Sequence, residues 1–318
     1  MSHSAIERSR PKTGTLVTNI DRFEKEKDDS YLIKLPFKGI NSAIGGGLRR
    51  GYTSILSGPP GNAKSFFAIN AMIHAIENGI SACYLPFEYS AAEHMLRVMA
   101  VRIGSWNMIS TTPDKAQERI DAFMKSADMI AEYHKYEKHV CENPFSATIS
   151  EGSNEVQINT VNFSDVIDIV THLAQRHKLV IIDPVTAIMA NQRIKSSITE
   201  QQTEFVRTIN ALATKFDFHP MLIGHTGRRA KHNGKPTAIT MDDMSGAIAF
   251  QRFAQYVFLL DYHEQKVSAP ISSINKGDIE HTRTLIIDKT SFGSGNKAMI
   301  AMDFKDKCGP QMEDLGWI

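Results

Sequence analysis

The sequence predicts an α/β fold: a mainly parallel, twisted sheet with helices on both faces and an antiparallel hairpin towards the C-terminal end. Three observations carry this reading. Residues 52–57 read as a short buried strand that breaks at Gly58-Pro59-Pro60-Gly61-Asn62-Ala63 and is followed, after Lys64-Ser65, by an apolar helical stretch over 66–73. Residues 179–182 are four consecutive apolar residues closed by Asp183. Further short apolar runs at 81–87, 221–224 and 256–260 alternate with segments of helical period, as repeated βαβ units require.

The chain of 318 residues is long enough for a substantial core. Its 36 basic and 35 acidic side chains leave a net charge of +1, so no global nucleic-acid signature exists and any such binding must come from a local patch. Cys83, Cys141 and Cys308 contain no CxxC pair, which argues against a zinc site or a disulfide framework and fits a reducing compartment. The longest apolar runs fall short of the roughly 18 residues that span a bilayer. The polar N-terminal residues do not read as a signal peptide. A cytoplasmic protein without a membrane partner is expected.

Taken in order, residues 1–30 read as a polar tail or linker and 31–318 as one domain. The glycines Gly45, Gly46, Gly47 and Gly51 are consistent with a hairpin or cap beside a bound ligand. The helix after Ser65 stops near Asn78-Gly79. The strand at 81–87 ends in Glu88, and Ser90 with Glu93 has capping-box spacing for a helix carrying Met95, Val98, Met99 and Val101. Residues 110–136 are polar and helix-rich. The Ser/Asn/Glu-rich stretch 142–159 reads as a hairpin or loop insertion. A helix over 166–177, capped by Ser164-Asp165, leads to the strand ending at Asp183. A second helix, 199–216, leads to the strand ending at His225. Ser245 to Ala249 opens a helix before the strand at 256–260. Strands at 284–288 and 298–302 form the hairpin, with Gly293 and Gly295 in its turn.

A strand, a Gly/Pro loop and Lys-Ser opening a helix is the layout of a phosphate-binding loop. Taken alone, the same residues also describe a Gly/Pro turn before a helix start. In the functional reading, the loop amides and helix N-terminus converge on an anion; Gly58, Pro59, Pro60, Gly61, Asn62, Ala63, Lys64, Ser65 and Phe66 bind the nucleotide. Lys64 reaches the terminal phosphates and Ser65 holds Mg²⁺ through its hydroxyl. Ala63 replaces the usual glycine. Because Ala disfavours positive φ, a right-handed or extended conformation is expected there. Asp183, at the C-terminal end of a buried parallel strand, is the companion carboxylate that orients Mg²⁺.

These parts, with Gly45 to Gly51, Phe87-Glu88-Tyr89-Ser90 and Ser245-Gly246-Ala247-Ile248, resemble in order the RecA-like ATPase domain of DnaB-type hexameric replicative helicases and their phage and plasmid relatives. The resemblance covers about 35–304. It implies a RecA-like P-loop NTPase that uses ATP and Mg²⁺, assembles as a homo-oligomeric, hexameric ring, and binds single-stranded DNA and replication proteins. It casts Glu88 as the base that polarises water; a bland alternative is a glutamate favoured by a helix dipole. It casts His225 as the γ-phosphate sensor and Lys289 as a cation reaching a neighbour's ATP. It places Arg193, Lys195, Arg228, Arg229, Lys231, Lys235 and Gly246 in DNA-facing loops. Composition alone also allows solvated basic loops there.

Two departures stand out. The family's late Lys-x-Arg is Lys289-Thr290-Ser291 here, so the finger falls to Lys289 or to another arginine such as Arg252 or Arg283, or hydrolysis is slow. Only a short tail precedes the ATPase core where the family carries a primase-binding domain. A DNA motor is therefore the first reading. An ATP-switched DNA-binding or assembly protein, such as a loader or recombination mediator, is the second, and a nucleotide-regulated scaffold the third.

Overall fold

The computed structural model describes residues 20, 23–28, 31–109, 112–145, 147–149, 156–158, 163–190, 198–226, 231–232, 235–236, 239–243, 252–270, 278–305 and 309–318. The chain divides into residues 1–32 and residues 33–318. Within the first unit, a helical turn spans 23–26, with an exposed Phe23 and a Lys27–Glu24 ion pair.

The second unit is built on an eight-stranded sheet. Its strands are β1 (Ser54–Gly58), β2 (Ala82–Pro86), β3 (Leu179–Asp183), β4 (His219–His225), β5 (Tyr256–Pro270), β6 (Asp278–Thr290), β7 (Ala298–Phe304) and β8 (Met312–Trp317). They lie in the order β8-β7-β6-β5-β1-β4-β3-β2. The pairs β5–β1, β1–β4, β4–β3 and β3–β2 are parallel; β5–β6, β6–β7 and β7–β8 are antiparallel. The expected antiparallel hairpin is thus part of a four-stranded meander. Strand β5 also runs ten residues past the predicted end at Leu260, pairing with the first half of β6 as a ribbon.

The helices are α1 (Lys38–Ala43), α2 (Lys64–Glu77), α3 (Ala91–Ile103), α4 (Pro113–Lys125), α5 (Ala127–Glu137), α6 (Phe163–Ala174), α7 (Val185–Ala190) and α8 (Ile198–Phe216). They cover both faces, because strand side chains alternate. Leu56, Tyr84, Ile181, Ile223 and Phe258 pack with Phe67, Ala68, Met95 and Val98 of α2 and α3. Ile55, Leu85, Val180, Ile182 and Leu222 pack with Val166, Val170, Phe205 and Ile209 of α6 and α8. Each of the buried Val, Leu, Ile, Phe and Met side chains among them contributes about 1.5–3 kcal/mol of transfer free energy. The capping box forms as expected: Ser90 Oγ accepts from the Glu93 amide, and the Glu93 carboxylate accepts from the Ser90 amide.

Two expectations change, one is met and one cannot be placed. Helix α6 begins at Phe163, so Ser164 and Asp165 lie in its first turn rather than capping it, and it ends at Ala174. The stretch 142–159 contains a two-stranded ribbon, Ala147–Ile149 with Val156–Ile158, as one of the two readings held. The glycine turn at 45–51 does not adjoin the ligand end of the sheet. Gly51 N donates to Phe218 O just before β4, and His219 Nδ1 contacts Arg49 O, so this turn sits where the parallel strands begin. The turn between β6 and β7 packs there too, with Gly295 N donating to Ala43 O; a Cβ on Gly293 would lie 2.0 Å from that carbonyl oxygen. Ser245 to Ala249 lies outside the described residues.

Candidate active site

The site lies where the parallel strands end. Register sets Gly58 of β1 beside His225 of β4, and Pro86 of β2 beside Asp183 of β3. Gly58 must be glycine because its backbone meets β5: a Cβ would stand 2.3 Å from Leu260 O. Asn62 Nδ2 ties the loop to the same carbonyl at 3.1 Å. Gly61 and Ala63 both have positive φ, 80° and 71°. The expectation for Ala63 is overturned, since it holds the left-handed conformation at the N-cap of α2. The turn into α2 imposes that geometry, and alanine carries it at a cost of about 1–2 kcal/mol. The first amides of α2 have no intrahelical acceptors, so the helix start remains an anion-binding end.

Lys64 is buried and its Nζ donates to Gly58 O and Pro59 O, each at 2.8 Å. Burial pulls its pKa down to about 8, against the opposing pull of Asp183 and Glu88. Ser65 Oγ donates to Asp183 Oδ2 at 2.6 Å. Burial pushes the Asp183 carboxyl up, while hydrogen bonds from Ser65 and Tyr84 hold it down. The chain past β2 is pinned to β3 by Phe87 N donating to Asp183 O at 2.8 Å, which sets Glu88 beside the loop. His225 Nε2 donates to Glu88 Oε1 at 3.2 Å. The half-buried Phe66 ring turns edge-on to Trp106 and Phe304.

The structure therefore brings Lys64, Ser65, Asp183, Glu88 and His225 together. It sets Lys289 apart. Lys289 pairs with Val257, which pairs with Ile55, so it stands level with the start of β1 and away from its own loop. Arg283 is not an available finger. It is packed inside, 3.6 Å from Asp303 and with its guanidinium 4.2 Å from the centre of the Phe304 ring. Arg252 is exposed. Arg193, Lys195, Arg228, Arg229 and Gly246 lie outside the described residues. Lys231 and Lys235 belong to a two-stranded ribbon, Lys231–His232 with Lys235–Pro236. Sequence reading missed Tyr84, whose hydroxyl donates to Asp183 Oδ2 from within β2. A tyrosine in an apolar strand reads as core, and its hydroxyl is the signal that could have marked it.

A phosphate loop on β1, a carboxylate ending β3 and a glutamate after β2 define the RecA-like ATPase fold. Residues 20–231, well over half of the chain, match the family described as an AAA domain, and the chain belongs to that family. Comparison with curated proteins gave no match. Among solved structures, the chain is similar to an isolated ATPase domain at a TM-score of 0.67 and 14% identity, covering 96% of this chain and 100% of that one. It is similar to a DnaB-like replicative helicase, solved with its interactions with primase, at 0.66 and 14%, covering 98% and 70%. A KaiC-like protein from the archaeon Pyrococcus horikoshii matches at 0.54 and 16%, covering 89% and 98%. The fold is thus that of RecA-like ATPase domains, shared with these structures.

Proposed function

We propose that this chain is a Mg²⁺-dependent ATPase that works on single-stranded DNA as a ring-forming, helicase-type motor. The observation that carries the reading is the Glu88–His225 pair, 3.2 Å apart, beside a loop that holds Lys64 and the Ser65–Asp183 pair. The donors at Ser65 and Asp183 are a hydroxyl and a carboxylate, hard oxygens that fit Mg²⁺. Mg²⁺, when bound, neutralises charge on the β- and γ-phosphates. Lys64 and the loop amides stabilise charge on the transferring phosphoryl group. Glu88 orients the attacking water and accepts its proton, held by the His225 N–H.

His225 ends β4 and begins the segment toward Arg228, Arg229, Lys231, Lys235 and Gly246. A shift in the Glu88–His225 contact on loss of the γ-phosphate therefore has a direct route to these residues. With Arg193 and Lys195, repeated around a ring, they form a positive channel lining that a near-neutral chain otherwise lacks. Contacts to phosphates make such binding sequence-independent and salt-sensitive. Residues 31–318 are the ATPase domain, and 1–30 are a linker arm.

A second reading is an ATP-switched assembly protein with little unwinding. It is favoured by Ser291 in place of the family's arginine, together with the internal position of Arg283, which leaves Lys289 and Arg252 as trans cations. Hydrolysis and strand displacement measured with and without single-stranded DNA separate the two. The motor predicts DNA-stimulated hydrolysis with displacement. Stimulation without displacement moves the protein to the second reading, and hydrolysis indifferent to DNA removes both.

A further inference from the structure

The roles given to Lys64, Ser65, Glu88, Asp183 and His225 do not account for the Tyr84 hydroxyl, which also reaches this site. Tyr84 lies in the middle of β2 and is fully buried. Its hydroxyl donates to Asp183 Oδ2, the same oxygen that accepts from Ser65. The two donors come from different layers. Ser65 comes from the phosphate-loop helix and is itself needed by an ion. Tyr84 comes from the core side of the sheet, where its ring packs and its hydroxyl reaches the carboxylate. A phenol at this depth is costly unless its O–H is satisfied, and a phenylalanine would fill the same volume without that demand.

The ring is also held from behind. His94 of α3 lies against it with ring centroids 3.9 Å apart. His94 is 1% exposed, and among the described residues neither of its ring nitrogens has a hydrogen-bond partner. Burial drives its pKa down to about 3, so it stands as a neutral, flat wall. The Tyr84 ring cannot swing away from Asp183 without displacing α3.

We propose that Tyr84, backed by His94, is a positioning residue of the metal site: its hydroxyl fixes the Asp183 carboxylate so that the carboxylate meets the divalent ion already oriented. The proposal rests on the Mg²⁺-nucleotide reading of this site. Loss of a partner that orients a metal's carboxylate typically costs about 10–100-fold in metal affinity.

The test uses the full chain and a fluorescent ADP analogue, titrated in EDTA and then against rising Mg²⁺. Tyr84→Phe is expected to bind nucleotide as the wild type does in EDTA while needing about 10-fold more Mg²⁺ for half-saturation. His94→Phe, which keeps the stack, is expected to match the wild type; His94→Ala, which frees the ring, is expected to shift in the same direction as Tyr84→Phe. An unchanged Mg²⁺ requirement in Tyr84→Phe overturns the proposal, as does an unchanged one in His94→Ala where Tyr84→Phe does not fold. Equal losses with and without Mg²⁺ reveal a purely structural tyrosine and also overturn it. A wild type whose nucleotide binding is indifferent to Mg²⁺ removes the reading of the site itself, and the proposal with it.

Discussion

Ala63 and Lys64 show how much strain and burial the phosphate loop concentrates. Ala63 sits at φ 71°, so Ala63→Gly is expected to raise stability by about 1 kcal/mol in urea unfolding of the nucleotide-free protein. A decrease would show that the Ala63 methyl packs to advantage. Lys64 has its pKa drawn to about 8 from an ordinary 10.5. Its charge is therefore disfavoured in the fold. That penalty is full below about pH 8 and fades by pH 10.5, so this group's contribution to stability rises across that window. Phosphate binding needs the charged form, so nucleotide affinity is expected to fall as pH rises past 8, read by fluorescent-nucleotide titration. At this scale the sequence exposed the loop, Asp183, Glu88 and His225, because each closes an apolar run and so stands at a strand end. It hid Tyr84 because ring and hydroxyl serve two masters, and only the three-dimensional partner reveals the second. The conformation of Ala63 was also beyond it, since tertiary geometry outweighs a residue's own φ preference.

Strand β1, its loop and α2 form one rigid element wedged against β5. Gly58→Ala would drive a Cβ into Leu260 O and is expected to cost about 1–3 kcal/mol and to abolish nucleotide binding. Thermal unfolding with and without nucleotide reads both effects. Ser90→Ala removes the capping box of α3 and is expected to cost about 1 kcal/mol, with hydrolysis lowered because Glu88 stands two residues before the cap. The buried parallel strands β2, β3 and β4 were legible as apolar runs, and β1 by the phosphate-loop pattern that follows it. Strand β8 and the outer half of β5 were not: the former mixes Glu313, Asp314 and Gly316 into six residues, and the latter is polar on both faces beyond Leu260. Edge and ribbon strands are held by backbone pairing, which leaves little trace in hydrophobic pattern.

For the whole molecule, the sheet's polarity separates two groups of residues. The nucleotide machinery gathers where the parallel strands end. Lys289 stands level with where they begin, alongside the glycine turns at 45–51 and 291–297. In a ring, one subunit's Lys289 can serve only another subunit's nucleotide. Lys289→Ala is therefore expected to leave nucleotide binding intact and to slow hydrolysis; mixing it with an excess of Glu88→Gln subunits, which keep Lys289, is expected to restore part of it. Equal hydrolysis in Lys289→Ala and wild type would leave Arg252 as the remaining candidate. The central claim is that Glu88 orients water at an ATP site built by Lys64, Ser65 and Asp183. Its most direct test is single-turnover ATP hydrolysis by Glu88→Gln, with ATP binding measured on the same sample. Binding retained and hydrolysis reduced by at least about 100-fold is the predicted result. Hydrolysis at the wild-type rate would contradict it.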